Sequence, residues 1–334
     1  MKQIHTLGAA LVLTVGAAVP ACAETYTVCE NKSDGADCRY EGVAGIQAAV
    51  DAAEAGDTIF IAKGTYHPGE TRDVPFTDDG EKLLVRAAVL IDRKNLTIVG
   101  APGALFDGSK GSASNAFVIT NSVVDFINIS IKGFRVKEET DNVYDGHGLF
   151  FINSRGSVEN TSIHGTEKMA LTIRGASTLD VNGLKITDSH MGIWLEENAR
   201  LTLKNSLISG SEEAGIGGYD ITETVIENSV FVGNEDDGIY APDTGRIRVS
   251  SSIIAGNRPY GLRALAGGHI AVDDSVLFGN LEDAFNTDDD AASVTVGGQV
   301  VTGIDPKLDA GYFPRASSPL LVGKGLVSAP GAIE

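Results

Sequence analysis

Between residues 160 and 285 the chain repeats itself, and the period constrains what it can fold into more than any other feature. A residue suited to a sharp turn recurs at Asn160, Gly183, Asn205, Asn228, Ser251 and Asp274, by subtraction at steps of 23, 22, 23, 23 and 23. Five residues after each, a second marker keeps the same beat: Gly165, Asp188, Gly210, Gly233, Gly256 and Gly279. A third opens an apolar step at Ala170-Leu171, Gly192-Ile193, Gly215-Ile216, Gly238-Ile239, Gly261-Leu262 and Ala284-Phe285. Three markers in phase over six copies are the signature of a stacked repeat, in which each unit buries its apolar face against its neighbours.

A leucine-rich repeat has a similar length, but it needs a helical side with leucines at fixed offsets. Here each copy breaks into short alternating pieces. In Arg200–Tyr219, Leu201 and Leu203 alternate with Thr202 and Lys204, then come the turn Asn205-Ser206, the step Leu207-Ile208, the turn Gly210–Glu213 and the step Gly215-Ile216. No apolar run at helical spacing is long enough for a helix. Three strands per coil, stacked at about 4.8 Å per rung, make an all-β, single-stranded parallel β-helix. Val158, Val181, Leu203, Ile226, Val249 and Val272 then form one inward stack, and Leu171, Ile193, Ile216, Ile239, Leu262 and Phe285 another. The turns need left-handed backbone, which Asn, Gly and Asp tolerate best. Asn128, Asn160, Asn205 and Asn228 are therefore turn residues, placed to hydrogen-bond along the stack as a ladder.

The chain resembles the pectin-lyase-like superfamily of right-handed parallel β-helix proteins. The resemblance rests on the coils and on Gly45–Ala53, followed by Gly56-Asp-Thr-Ile-Phe-Ile61 and Lys63-Gly-Thr-Tyr66, which look like the capping helix and first coil. Asn95–Gly100 looks like the next coil, and Asp305-Pro306 with Ser317–Gly323 like the terminal segment. The expected layout is a leader over 1–23 and one β-helix domain over 24–334, with the cap and first coil at 24–66, regular coils at 95–290 and a terminal coil and cap at 291–334. The resemblance implies the fold and leaves the reaction open, because the fold hosts lyases, hydrolases, esterases, epimerases and non-enzymatic proteins.

Met1-Lys2, the apolar run Leu7–Val19 and Ala21-Cys22-Ala23 read as a secretory signal cleaved after Ala23, too short to span a membrane. Export to the periplasm or beyond follows. It leaves Cys29 and Cys38 as an even pair in an oxidising compartment, where a disulfide is expected. Ile46, Ala49, Val50 and Ala53 mark one apolar helix face that would cover the open end of the coil. With 26 Lys+Arg against 45 Asp+Glu, a formal −19, nucleic acid is excluded as a partner, and an anionic glycan would need a local basic patch.

In the superfamily, substrates lie along the outside of one sheet. By analogy that is the sheet opened by the Gly-Ile step. Alternation then points Phe150, Thr172, Trp194, Gly217, Tyr240, Arg263 and Asn286 outward in one column, with Ile152, Arg174, Glu196, Tyr219, Pro242, Leu265 and Asp288 in a second. The only Trp of the chain, two Tyr and two Arg share this face, a composition suited to sugar rings and carboxylates. Gly133–Gly148 is an insertion that could cover it. Lys168 and His190 lie on neighbouring rungs of the turn leading in.

A uronate lyase needs a cation, a base and an acid. Lys168 or Arg174 supplies the first, His190 the second, and Tyr219 or Tyr240 the third, with Trp194, Tyr219 and Arg263 holding substrate. The competing reading pairs Arg174 with Glu196 and leaves His190 as a solvated turn residue. Glu213, Asp236 and Asp237 are candidate oxygen ligands for Ca²⁺, or Asp237 a hydrolase carboxylate, or a solvated turn. Gly146-His147-Gly148, Asp236-Asp237 and Asn286-Thr287-Asp288 resemble polygalacturonase motifs, but in reversed order. Gly148 and Gly238 are four rungs apart, about 19 Å, so those motifs cannot share a site. Three functions remain in play: a polysaccharide lyase or epimerase on a uronate glycan, a non-catalytic glycan-binding β-helix, and a glycoside hydrolase.

Overall fold

A computed structural model describes residues 23–34, 37–78, 80–136, 143–220, 223–286, 291–312 and 314–315. The apolar leader, the Ser317–Gly323 segment and positions 287 and 288 lie outside the described residues. The chain winds as a right-handed parallel β-helix. Among the described residues its strands form one sheet of twelve strands and two of ten, and along each sheet the neighbours are successive coils. The first sheet runs from Thr25–Cys29 and Asp57–Ile61 through Arg200–Lys204 to Ser293–Val296. The second carries the short strands such as Leu207–Ser209, and the third carries Met169–Arg174, Met191–Glu196 and Tyr260–Ala264.

The expected turn geometry is present. Asn128, Asn160, Asn205, Asn228, Ser251 and Asp274 all take φ between 47° and 58°. The residue after each turn marker is a second device. Ser206, Ser229, Ser252 and Ser275 are buried, and the backbone N–H groups of Ser206, Ser229 and Ser252 each donate to the hydroxyl one coil on, as in Ser229 N to Ser252 Oγ at 3.1 Å. The asparagine ladder is shorter than expected. Asn228 donates to Asn205, and Asn205 donates to Asn182 at 2.6 Å, because Gly183 has no side chain to continue the column. A second ladder of equal length runs through Asn234, Asn257 and Asn280 at 2.8 and 3.0 Å.

Val158, Val181, Leu203, Ile226, Val249 and Val272 are in register and buried. In the other stack, Leu171, Ile193, Ile216, Ile239 and Leu262 are in register, but Leu262 pairs with Ala284 and Arg263 pairs with Phe285. The step is 22 residues there, not 23, so Phe285 lies in the outward column, and Ala264 pairs with Asn286 rather than Arg263. A one-residue slip turns every side chain over.

Helix α1, Gly42–Ala52, closes the first coil with Ile46, Ala49 and Val50 buried, and Ala53 is buried just beyond it. Gln47 completes the seal. Its amide donates to Leu90 O at 3.0 Å while its carbonyl accepts from Leu90 N at 2.7 Å, so it pairs with a strand backbone as another strand would. Cys29 and Cys38 form a disulfide with Cα atoms 5.6 Å apart, and closing so short a loop contributes roughly 2–3 kcal/mol.

One element breaks the repeat. Arg72–Asp78 and Glu81–Asp92 form an antiparallel hairpin at the edge of the third sheet. The second strand joins the sheet by Ala87–Asp92, and the rest packs over its outer face. Val74, Phe76 and Val85 meet Val118 and Phe150 of the sheet and Tyr144 of the insertion in a separate apolar cluster.

Candidate functional site

The hairpin divides the outer face of the third sheet in two. Over the first rungs the face is covered. Phe150 and Thr172, both in the expected outward column, are wholly buried. Tyr144 stacks on Phe150 at 5.9 Å and Phe76 sits 4.6 Å from Tyr144. Asp145 accepts from Arg86 N at 2.8 Å and pairs with the Arg86 guanidinium. His147 is buried between Thr172 Oγ1 and Val143 O, each at 2.8 Å. Burial, with the charge of Lys168 a smaller cause, pushes its pKa down to about 4, so it stays neutral and donates from Nε2 to the carbonyl. Residues 143–147 of the insertion thus lie over the sheet, while residues 137–142 are outside the described set. Gly148 and Gly238 fall on different coils as expected, so His147 shares no site with Asp236.

Arg174 belongs to this covered half. It is 4% exposed and paired with Asp78 at 2.7 Å, with Glu197 at 2.7 Å and with Glu196. It also donates to Tyr144 Oη at 2.8 Å and lies 4.6 Å above the Phe76 ring. Burial opposes its charge, but Asp78 and Glu196 outweigh that and raise its pKa. The expectation of Arg174 as a cation open to substrate therefore fails: three carboxylates already occupy it. Its pairing with Glu196 is real but buried. A cleft of about 500 Å³ beside the hairpin is lined by Asp73, Asp92, Asn121, Asn153, Arg174 and Glu197, an acidic wall that repels anionic sugars.

Beyond the hairpin the outward column opens as Trp194, Gly217, Tyr240, Arg263 and Phe285. Trp194 donates from Nε1 to Glu196 Oε1 at 2.6 Å and meets Tyr219 edge-on at 6.1 Å. Burial and the Glu196 charge push Tyr219 up to about 12, and burial raises Tyr240 too, so both phenols stay protonated. Gly217 has no side chain, and the Trp194 and Tyr240 rings close over it. Arg263 lies 4.7 Å from the Tyr240 ring and 5.8 Å from the Tyr260 ring, and Phe285 stacks on Tyr260 at 4.5 Å.

Beneath Arg263 sits Asp237, with no side-chain exposure, paired to its Nε; Asp236 is 3.8 Å from the same guanidinium. Burial pushes Asp237 up to about 7; Arg263 opposes the rise and Asp236 adds to it. The solvated-turn reading of Asp237 is thus overturned, since its carboxyl is under the sheet's aromatic cover. Nothing local in the sequence announced this. The cue lay one coil on, where Arg263 and Tyr260 share the register of Tyr240 and Asp237.

Lys168 and His190 are at the entrance edge on adjacent rungs, next to the register pair Met169 and Met191. His190 is 3.0 Å from Glu212 and 3.3 Å from Glu213. Six strand steps of about 3.3 Å separate this edge from Arg174, roughly 20 Å, so His190 and Arg174 cannot serve one sugar ring. Glu213 turns to His190 and Asp237 to Arg263. Among the described residues no three acidic, His or Cys side chains converge as a metal site requires, so the Ca²⁺ expectation for Glu213, Asp236 and Asp237 finds no support in their arrangement.

A coiled stack of three parallel sheets with a partly open outer face defines the class: a parallel β-helix with a surface strip available for ligand. The chain belongs to the right-handed beta helix family, whose model matches residues 111–277. Curated proteins gave no match. Among solved structures it is similar to the pectate lyase Pel9A, with 16% identity, TM-score 0.57, and 84% of this chain and 77% of that one covered. It is also similar to an alginate lyase from Paenibacillus sp. str. FPU-7, with 14% identity, TM-score 0.54, and 83% and 99% covered. A PL6-family alginate lyase matches at 14% identity and TM-score 0.54 over 87% of this chain but 41% of that one. At these identities the likeness establishes the fold.

Proposed function

We propose that the protein is an exported, carbohydrate-active β-helix protein. Its open strip, Trp194 to Arg263, receives a uronate-containing polysaccharide for lyase or epimerase chemistry. The observation that carries this reading is Arg263, held between the Tyr240 and Tyr260 rings over a buried carboxyl, on the part of the sheet that the hairpin leaves open. Aromatic faces suit sugar rings and the guanidinium fork suits a uronate carboxylate. It is also a local cation in a strongly acidic chain, as an anionic substrate requires. The pectate and alginate lyases that share the fold add support by analogy.

In a lyase step Arg263 neutralises the uronate carboxylate, which acidifies the C5 proton. A base takes that proton, the C–H pair becomes the C4=C5 double bond, and the C4–O4 bond breaks as O4 takes a proton. Asp237, with a proton affinity near neutrality, matches the base once the substrate carboxylate draws Arg263 off it, and the protonated Tyr240 phenol matches the acid. Lys168 and His190 line the entrance, where they would hold the next sugar along. Returning the C5 proton to the opposite face instead would make the step an epimerisation.

The test is turnover of pectate, alginate and chondroitin by the mature protein, with and without Ca²⁺. Absorbance of an unsaturated product is expected, and Asp237→Asn and Arg263→Ala should abolish it. New reducing ends without that absorbance would point to hydrolysis, and NMR of the treated polymer reports epimerisation. A non-catalytic glycan-binding reading is favoured by one specific finding, that Arg174 and His190 are already held by carboxylates. Binding without turnover, unchanged in His190→Ala and Asp237→Asn, would establish it.

A further inference from the structure

The first described strand begins on a buried carboxylate. Asp57 is 5% exposed, and its Oδ1 accepts the backbone N–H of Glu24 at 2.7 Å while Oδ2 accepts Glu54 N at 2.8 Å. Thr58 N donates back to Glu24 O at 2.9 Å, so Glu24 is seated as the start of the first strand in the twelve-stranded sheet. A buried carboxylate calls for a positive partner. Lys94, the neighbouring cation, directs its ammonium to Ala53 O at 2.7 Å and Asp51 O at 3.2 Å instead. Arg39 is paired with the Glu24 side chain at 2.6 Å. Each Asp57 oxygen accepts a backbone N–H, with the Tyr26 hydroxyl and the Lys94 charge as lesser partners, and one of those N–H groups belongs to the residue that follows Ala21-Cys22-Ala23.

We infer that the exported chain begins at Glu24 and that its new α-ammonium forms an ion pair with Asp57, so that removal of the leader locks the first strand onto the β-helix. The inference rests on the export reading. Hydrolysis of the Ala23–Glu24 peptide bond adds water across it and leaves a carboxylate on Ala23 and an ammonium on Glu24. The same nitrogen that donates as an amide then donates as a cation, at the same place. Hydrogen bonds with one charged partner are shorter and stronger than neutral ones, and pairing both charges adds to that. Cleavage two residues earlier would put the ammonium beyond reach of Asp57. The backbone donors already hold the Asp57 pKa below the usual carboxylate range, with Glu24 N the largest cause.

The experiment uses the full chain exported with its own leader, and four further forms made without it. Intact mass of the exported protein is expected to correspond to a chain beginning at Glu24. The four forms start at Glu24, or at Gly-Ser before Glu24, each with Asp57 or Asp57→Asn. Extension should lower the melting temperature by a few degrees when Asp57 is present and have no effect in Asp57→Asn. The Glu24 α-amine of the unextended form should titrate above its ordinary range and resist acylation, and Asp57→Asn should restore both. A leader that stays uncleaved sinks the export reading and the inference together. Cleavage after Ala23 with additive effects of extension and Asp57→Asn sinks the ion pair alone. Cleavage at another bond does so as well.

Discussion

The two arginines of the third sheet carry the same charge in opposite situations. Arg174 sits under the hairpin with Asp78, Glu196 and Glu197 around it, whereas Arg263 stands between two rings on the open strip with one buried carboxyl beneath. The first is a fastener. It ties the hairpin, the insertion and the sheet together through Asp78, Tyr144 and Glu196, and has no valence left for a ligand. The second keeps part of its side chain in solvent, at 24% exposure. A repeat makes every rung equivalent in backbone; what is laid over a rung decides whether its outward residue is scaffold or site.

The comparison breaks most visibly by truncation. Phe150→Ala in the covered half should cost about 3–5 kcal/mol in urea unfolding, because its place cannot refill from solvent or collapse freely. Arg174→Ala should cost a similar ~3–5 kcal/mol, since it strands three carboxylates in a partly buried cluster. If either variant unfolds like the parent protein, the hairpin is not bound to the sheet as described. Arg263→Ala should behave differently. Asp237, with a pKa near 7, takes a proton rather than remain as an unpaired buried charge. Stability should be near that of the parent at pH 5.5 and lower at pH 9, while uronate oligomer binding falls by tenfold or more, about 1.4 kcal/mol per tenfold.

A second test comes from pH alone. Burial raises the folded-state pKa of Asp237 to about 7, while an unfolded Asp titrates near 3.9. Its contribution is fully present below pH 4 and is lost as pH rises toward 7, because the unfolded chain gives up its proton first. His147 acts in the opposite direction. Burial holds it at about 4, against about 6.5 when unfolded. Stability therefore falls as pH drops from 6.5 toward 4, when the unfolded chain gains a proton that the folded one refuses. Asp237→Asn should remove the first slope and leave the second. Denaturant midpoints across pH 4–8 test both, and equal profiles for the two proteins would contradict the buried position of Asp237.

Much of this was legible in the sequence, for a physical reason. The repeat gives the register, the register gives the inward and outward columns, and left-handed turns demand Asn, Gly or Asp. Hence the aliphatic stacks, α1, the disulfide pair and the Trp194–Tyr240–Arg263 column could be read off. Phe285 was misplaced because a single 22-residue step inverts a strand, and the period alone does not say where that step falls. The hairpin at 72–92 was invisible because it occurs once and follows no repeat. The hairpin is what closes over Arg174, whereas Asp237 is covered by Arg263 from the next coil. Burial of a charged residue is set by what lies over it, and that is non-local.

The finest test of the open strip is Gly217, the one residue of the column without a side chain between Trp194 and Tyr240. A Cβ there would come 3.1 Å from Tyr240 Cδ1 and 3.6 Å from Trp194 Cζ3. Both contacts are with half-buried side chains, so the rings need shift only by a few tenths of an ångström and the fold should lose no more than about 0.5 kcal/mol. Ring tilt sets how a sugar face is met, however, so glycan binding should change by roughly two- to threefold with the stability unmoved. Isothermal titration of Gly217→Ala with the preferred oligosaccharide reads this directly. Equal loss of stability and binding would mean that the rings at Gly217 are packed as tightly as those under the hairpin. Binding unchanged alongside a loss in Trp194→Ala would place the sugar on one side of Gly217 rather than across it.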